Sequence, residues 1–166
     1  MKKKRTNGLI ALCILSGIYI LLNVFTPAVG LVNGPMTDED IREQKLQLLS
    51  SYNEETLELM GGMVSENVAM LEHTQEHHYT IHGVNLIIYI LGAFAVILLF
   101  RQQKLGFHLY LMYCIFEIAA TLYFFGQFRM ILAATLFIGV VAVVFIILYW
   151  QQVKKMDATT TTNEVV

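Results

Sequence analysis

Four histidines, His73, His77, His78 and His82, fall within one short stretch of this chain. His73/His77 and His78/His82 are each four apart, so on a helix each pair shares one face. Two imidazoles at that spacing can grip zinc or copper, and Glu72 and Glu76 bring oxygen donors close by. The two pairs lie about 100° apart around a helix, so one ion takes one pair plus a ligand from elsewhere. The candidate metal set is therefore His73, His77, His78, His82 and Glu76. Without metal the same residues form a polar cluster that titrates near neutral pH, as a plain interfacial patch or as a pH sensor. His73-Thr-Gln-Glu-His77 also fits the H-x-x-E-H pattern of one class of zinc peptidases. Such an enzyme needs a further carboxylate ligand downstream, and after His82 the sequence holds only Glu117, Asp157 and Glu164. The first falls inside an apolar run and the others lie beyond the last one. No peptidase is expected.

Glu117 is the second residue whose type demands a reason. An acid within a membrane span is costly and often functional. Counted at about 1.5 Å per residue from the start of its helix, it sits about 18 Å deep, just past the midplane. By the same count Asn23 and Tyr89 lie near that depth, and Gly139 is close. The polar set expected here is Glu117, Asn23 and Tyr89. It is either a protonated acid hydrogen-bonded inside a bundle or the centre of a proton- or cation-coupled site. Cys13 and Cys114 lie at unequal depths and outside any C-x-x-C, which excludes a thiol oxidoreductase. A haem between spans is excluded too, because His82 and His108 fall at opposite faces. No cofactor is expected, and no catalytic constellation points to an enzyme.

The elements that hold these residues are apolar helices. Of 166 residues, 56% are hydrophobic and 14% charged, against roughly 25% charged in soluble domains. Four runs, Leu9–Phe25, Gly83–Phe100, Leu105–Phe125 and Met130–Trp150, each meet the roughly 17 to 25 residues that a bilayer crossing needs. The last three show almost no polar face. The expectation is an all-α protein: a four-helix transmembrane bundle with an extracytoplasmic amphipathic helical segment between spans one and two. Residues 1–26 form a basic flank and the first span, 27–81 the acidic outer segment, 82–150 the remaining spans, and 151–166 a disordered cytoplasmic tail. The first run also resembles a signal peptide, but its apolar stretch is long for one, and it reads as a retained anchor.

Charge sets the orientation. With the N-terminus cytoplasmic, Lys2, Lys3, Lys4, Arg5, Arg101, Lys104, Lys154 and Lys155 lie inside, and Arg42, Lys45 and Arg129 outside. The segment from Pro27 to Ile81 carries ten acidic residues, which argues against binding an anionic lipid surface. The net charge of −2 carries no nucleic-acid signal. Within this segment Thr37 and Asp40 form a capping-box pattern that opens an amphipathic helix, expected to end or bend at Gly61-Gly62. Thr26-Pro-Ala-Val-Gly30 and the residues after it read as a breaker-rich exit from the first span.

Arg101-Gln-Gln-Lys-Leu-Gly-Phe-His-Leu-Tyr110 and Ile147-Leu-Tyr-Trp-Gln-Gln-Val-Lys-Lys-Met156 give the chain a family likeness. It resembles small bacterial four-span proteins that carry a K-x-G-F-x-L-Y turn between spans two and three, with "LY" and a basic stretch after span four. Gln102-Gln103 departs from the more basic turn of that family. The resemblance implies the four-span topology with a charged helical insert and a bacterial plasma membrane location. The family has no assigned function, so it implies no site residues. The reading is thus a non-enzymatic interaction or structural membrane component, with the lipid bilayer and a homo-oligomer or membrane-protein partner around it. The alternatives are a transporter centred on Glu117 and an extracytoplasmic metal binder using the histidines.

Overall fold

A computed structural model describes residues 7–50 and 54–161. The described chain is helical throughout its elements: α1 (Asn7–Asn33), α2 (Asp38–Ser50), α3 (Glu54–Glu76), α4 (His78–Phe100), α5 (Leu105–Phe125) and α6 (Arg129–Thr161). Four of these, α1, α4, α5 and α6, are long and apolar enough to cross a membrane. The basic residues at positions 2–5 lie outside the described residues.

The four long helices run alternately up and down. Gly8 near the start of α1 meets Gln152 of α6, while Gly30 near its end meets His82 at the start of α4. Helices consecutive in the bundle pack on each other, and α1 closes the ring against α6. The core is built from Leu9, Cys13 and Ile20 of α1, Ala95 and Leu99 of α4, Tyr110, Tyr113 and Cys114 of α5, and Tyr149 of α6. Burying backbone against backbone at the α4–α5 turn requires a missing side chain. A Cβ on Gly106 would stand 2.6 Å from the Leu99 nitrogen, so only glycine fits there. The turn before it ends α4 with a Schellman motif: Gln103 N–H donates to Leu98 O at 2.9 Å and Gln102 N–H to Leu99 O at 2.8 Å. Gln102 adopts φ 59° to make it.

Three boundaries differ from the sequence expectation. α1 does not stop at Phe25 but continues through Pro27 to Asn33. Proline removes one backbone donor and leaves the remaining ladder intact on either side. The real stop is Gly34, whose φ of 74° and N–H bond of 3.0 Å to Gly30 O cap the helix. Gly61-Gly62 does not break α3, which runs through both to Glu76; two glycines cost helix propensity without blocking a hydrogen bond. Finally, α6 extends past Trp150 to Thr161. Residues 151–161 were expected in a disordered tail, yet they contain no glycine or proline to end a helix already nucleated by the span.

Outside the bundle α2 folds back along α3. Its start is the expected capping box: Thr37 N–H donates to Asp40 Oδ2 at 3.1 Å, and Asp40 N–H to Thr37 Oγ1 at 3.2 Å. An ion pair joins Lys45 to Glu72, and Met36 N–H donates to Gln75 Oε1 at 2.9 Å. α3 in turn is fixed to the bundle. The Glu66 carboxylate accepts from the backbone N–H of Arg129, the first residue of α6, where the helix end is short of acceptors.

Candidate functional site

Two polar centres lie in the places the sequence marks. The first is built on Glu117, midway along α5. From α1 the Tyr19 hydroxyl donates to Glu117 Oε1 at 2.8 Å. Tyr89 of α4 and Tyr113 of α5 interact with the same carboxylate, although the buried Tyr113 hydroxyl makes no hydrogen bond of full geometry. Tyr113 is held in place by Gly92 of α4, where a Cβ would come within 2.8 Å of the ring. The expected set of Glu117, Asn23 and Tyr89 is thus only partly assembled. Tyr89 joins the acid, but the Asn23 side-chain amide donates to the Tyr19 carbonyl at 2.8 Å. Asn23 and Tyr19 are one turn apart on one face of α1, and the longer tyrosine is the one that reaches across to α5.

Next to this acid is a cavity of about 230 Å³ between α1, α5 and α6. Its walls are almost wholly apolar and include Ile20, Phe137 and Val141. Leu15 on α1 is 57% exposed and Phe137 on α6 is 71% exposed, so the cavity opens sideways between these two helices. Beside the cavity, whose lining includes Ser16 and Tyr110, Tyr149 Oη donates to Ser16 Oγ at 3.1 Å, and Ser16 Oγ lies 3.3 Å from Tyr110 Oη. Sequence reasoning missed this Ser16–Tyr110–Tyr149 chain and the role of Tyr19. A serine and tyrosines scattered over three spans carry no short-range pattern; matching helical depths was the one signal that could have paired them.

The second centre is the histidine stretch at the joint between α3 and α4. His77 is the joint itself, with φ −107° and ψ 22°, and it separates the four histidines into the two expected pairs. The His73 and His77 rings have centroids 4.7 Å apart, and His78 and His82 lie 4.4 Å apart. The pairs face different neighbours. His78 is buried, with Nε2 2.9 Å from Gly30 O, and the His82 ring fills the space over Gly30. His73 instead packs against Phe125 and Phe128, at centroid distances of 6.1 and 5.9 Å. Among the described residues, His73, Glu76 and His77 are gathered with ligand atoms within 4.8 Å of one another. Cys13 and Cys114 are buried in the core.

Four membrane-length helices around a shared core define a multi-pass membrane protein. Comparison with known protein families, with curated proteins and with solved structures finds no match for the chain.

Proposed function

We propose that this is a non-enzymatic multi-pass protein of a bacterial plasma membrane that takes up an amphiphilic amine from within the bilayer, at Glu117. Both termini face the cytoplasm and the α2–α3 segment lies outside, a reading supported by the excess of basic residues at one set of loops. One observation carries the ligand class: a single carboxylate, flanked by tyrosine hydroxyls, borders an apolar cavity that opens between α1 and α6. An apolar tail satisfies the walls, and an ammonium group satisfies the acid, which would otherwise be a costly charge at that depth. Coupled movement of a proton or cation follows if the acid exchanges one for the other.

The test uses a diazirine-bearing alkylamine and its uncharged alkyl analogue on protein in liposomes. The amine should label α1, α5 or α6 peptides around the cavity, be displaced by excess plain alkylamine, and fail to label a Glu117→Gln variant. Equal labelling by both probes, or of both proteins, overturns the reading.

A second reading, an interaction or structural component acting through its outer helices, draws on α2, where Leu46 remains 58% exposed. Crosslinking followed by affinity purification from the native membrane tests it. A reproducible partner lost on Leu46→Glu supports it, and recovery of the uncrosslinked chain alone sinks it.

A further inference from the structure

We propose that His73, Glu76 and His77 form a zinc-class divalent cation site at the joint between α3 and α4, separate from the Glu117 cavity. His73 and Glu76 lie in the last turn of α3, and the His77 N–H bond of 3.2 Å to His73 O carries that turn one residue further, so the i, i+3, i+4 spacing brings the three side chains to one side. Their ligand atoms already lie within 4.8 Å of one another. Tetrahedral zinc with bonds near 2.0–2.1 Å needs donors about 3.3 Å apart. Glu76 and His77 are exposed, which leaves their side chains room to change rotamer and draw the donors together. The set is two nitrogens and one oxygen with a fourth position left for water, a ligand combination that zinc accepts.

Two further observations favour this trio over the other histidine pair. His73 Nε2 is buried and has no hydrogen-bond partner, so one imidazole is fixed by Phe125 and Phe128 with a polar atom still to be satisfied. His78 also has a buried nitrogen without a partner, Nδ1, but its other nitrogen is already committed. The Gly30 carbonyl can only accept, so His78 Nε2 carries the proton. With His82 seated over Gly30, that pair holds α1 against α4 and lacks a neighbouring carboxylate in the gathered set. Aqueous access also differs, because His78 is buried whereas His77 faces solvent.

Occupancy would have a mechanical consequence. His77 is the one non-helical residue between α3 and α4, and His73 touches the end of α5 and the α5–α6 turn. A cation bridging them fixes the angle at which the outer helices leave the membrane bundle.

Zn²⁺ titration by calorimetry of the detergent-solubilised full chain, prepared without a histidine tag, tests the site. Wild type should bind one saturating equivalent, and His77→Ala and Glu76→Gln should each weaken binding, the histidine variant by at least about tenfold. Both residues are exposed, so neither variant should disturb folding, which circular dichroism checks. His82→Ala should bind as wild type does. Absence of saturable binding to wild type overturns the proposal. So does undiminished binding by His77→Ala, or loss of binding with His82→Ala alone.

Discussion

The Tyr19 hydroxyl and the Glu117 carboxylate meet at 2.8 Å although 98 positions separate them in sequence. This bond ties the first apolar helix to the third and sets the donor that a ligand amine would displace. In membrane bundles such side-chain bonds are worth about 0.6 kcal/mol on average and about 1.7 at most. Tyr19→Phe should therefore destabilise the protein by an amount in that range. In a double-mutant cycle with Glu117→Gln the coupling should be of similar size. Reversible unfolding in mixed micelles measures it, and additive single changes would mean the two side chains do not interact.

Gly92 and Tyr113 give a second, steric relationship. A methyl at position 92 meets the Tyr113 ring at 2.8 Å, and that ring is only 2% exposed and must shift to make room. Gly92→Ala should cost about 1–3 kcal/mol through forced repacking. Gly92→Ala combined with Tyr113→Leu should recover part of it. An alanine variant as stable as wild type would show that α4 and α5 can separate at this level without cost.

The contrast between these two centres and the sequence explains what could be read in advance. The spans were legible because a run such as Val140 to Trp150 can only be at rest in an apolar medium. The histidine pairs were legible because four residues is one helical turn. The capping box at Thr37 was legible for the same local reason. By contrast, Tyr19 rather than Asn23 at Glu117 depends on how α1 is rotated against α5, which no local pattern contains. The same is true of the division of labour between the histidine pairs, set by Gly30 and Phe125 on other helices. Boundaries failed where the sequence held a weak breaker inside a strongly supported helix, as at Pro27 and Gly61-Gly62.

Gln102 adopts φ 59° at the end of α4, a left-handed conformation that a side chain disfavours by roughly 1–2 kcal/mol. The Schellman bonds of the turn hold it there. Gln102→Gly should keep those bonds and stabilise the protein by about 0.5–1 kcal/mol after the added unfolded-state entropy of glycine. Gln102→Val should do the opposite, because branching at Cβ worsens the clash. Matching unfolding curves for both variants would mean the turn relaxes out of this conformation.

The α2 cap carries a pH dependence of known sign. Hydrogen bonds from the Thr37 hydroxyl and backbone N–H to its carboxylate hold Asp40 below its ordinary value of 3.8. A group with a lowered folded-state pKa stabilises its helix above the unfolded value, and that contribution is lost as pH falls through the folded value. Amide exchange in α2 should accelerate, beyond its intrinsic pH trend, only as pH drops below 3.8. Thr37→Val should remove the effect. Exchange that does not respond below that pH, or that responds equally in Thr37→Val, would show that the cap does not govern α2.

The orientation proposed from charge makes a prediction at two exposed positions, Ser50 at the end of α2 and Gln103 in the α4–α5 turn. The native thiols of Cys13 and Cys114 are buried, so added cysteines can be read over a low background. In intact cells a membrane-impermeant maleimide should label Ser50→Cys at once, whereas Gln103→Cys should react only after permeabilisation. Four spans place α2 and the α4–α5 turn on opposite sides whichever way the bundle is inserted. The reversed pattern would invert the topology and leave the fold as it is. Labelling of both positions from one side would remove α4 as a span, because it is the membrane-length helix that lies between them.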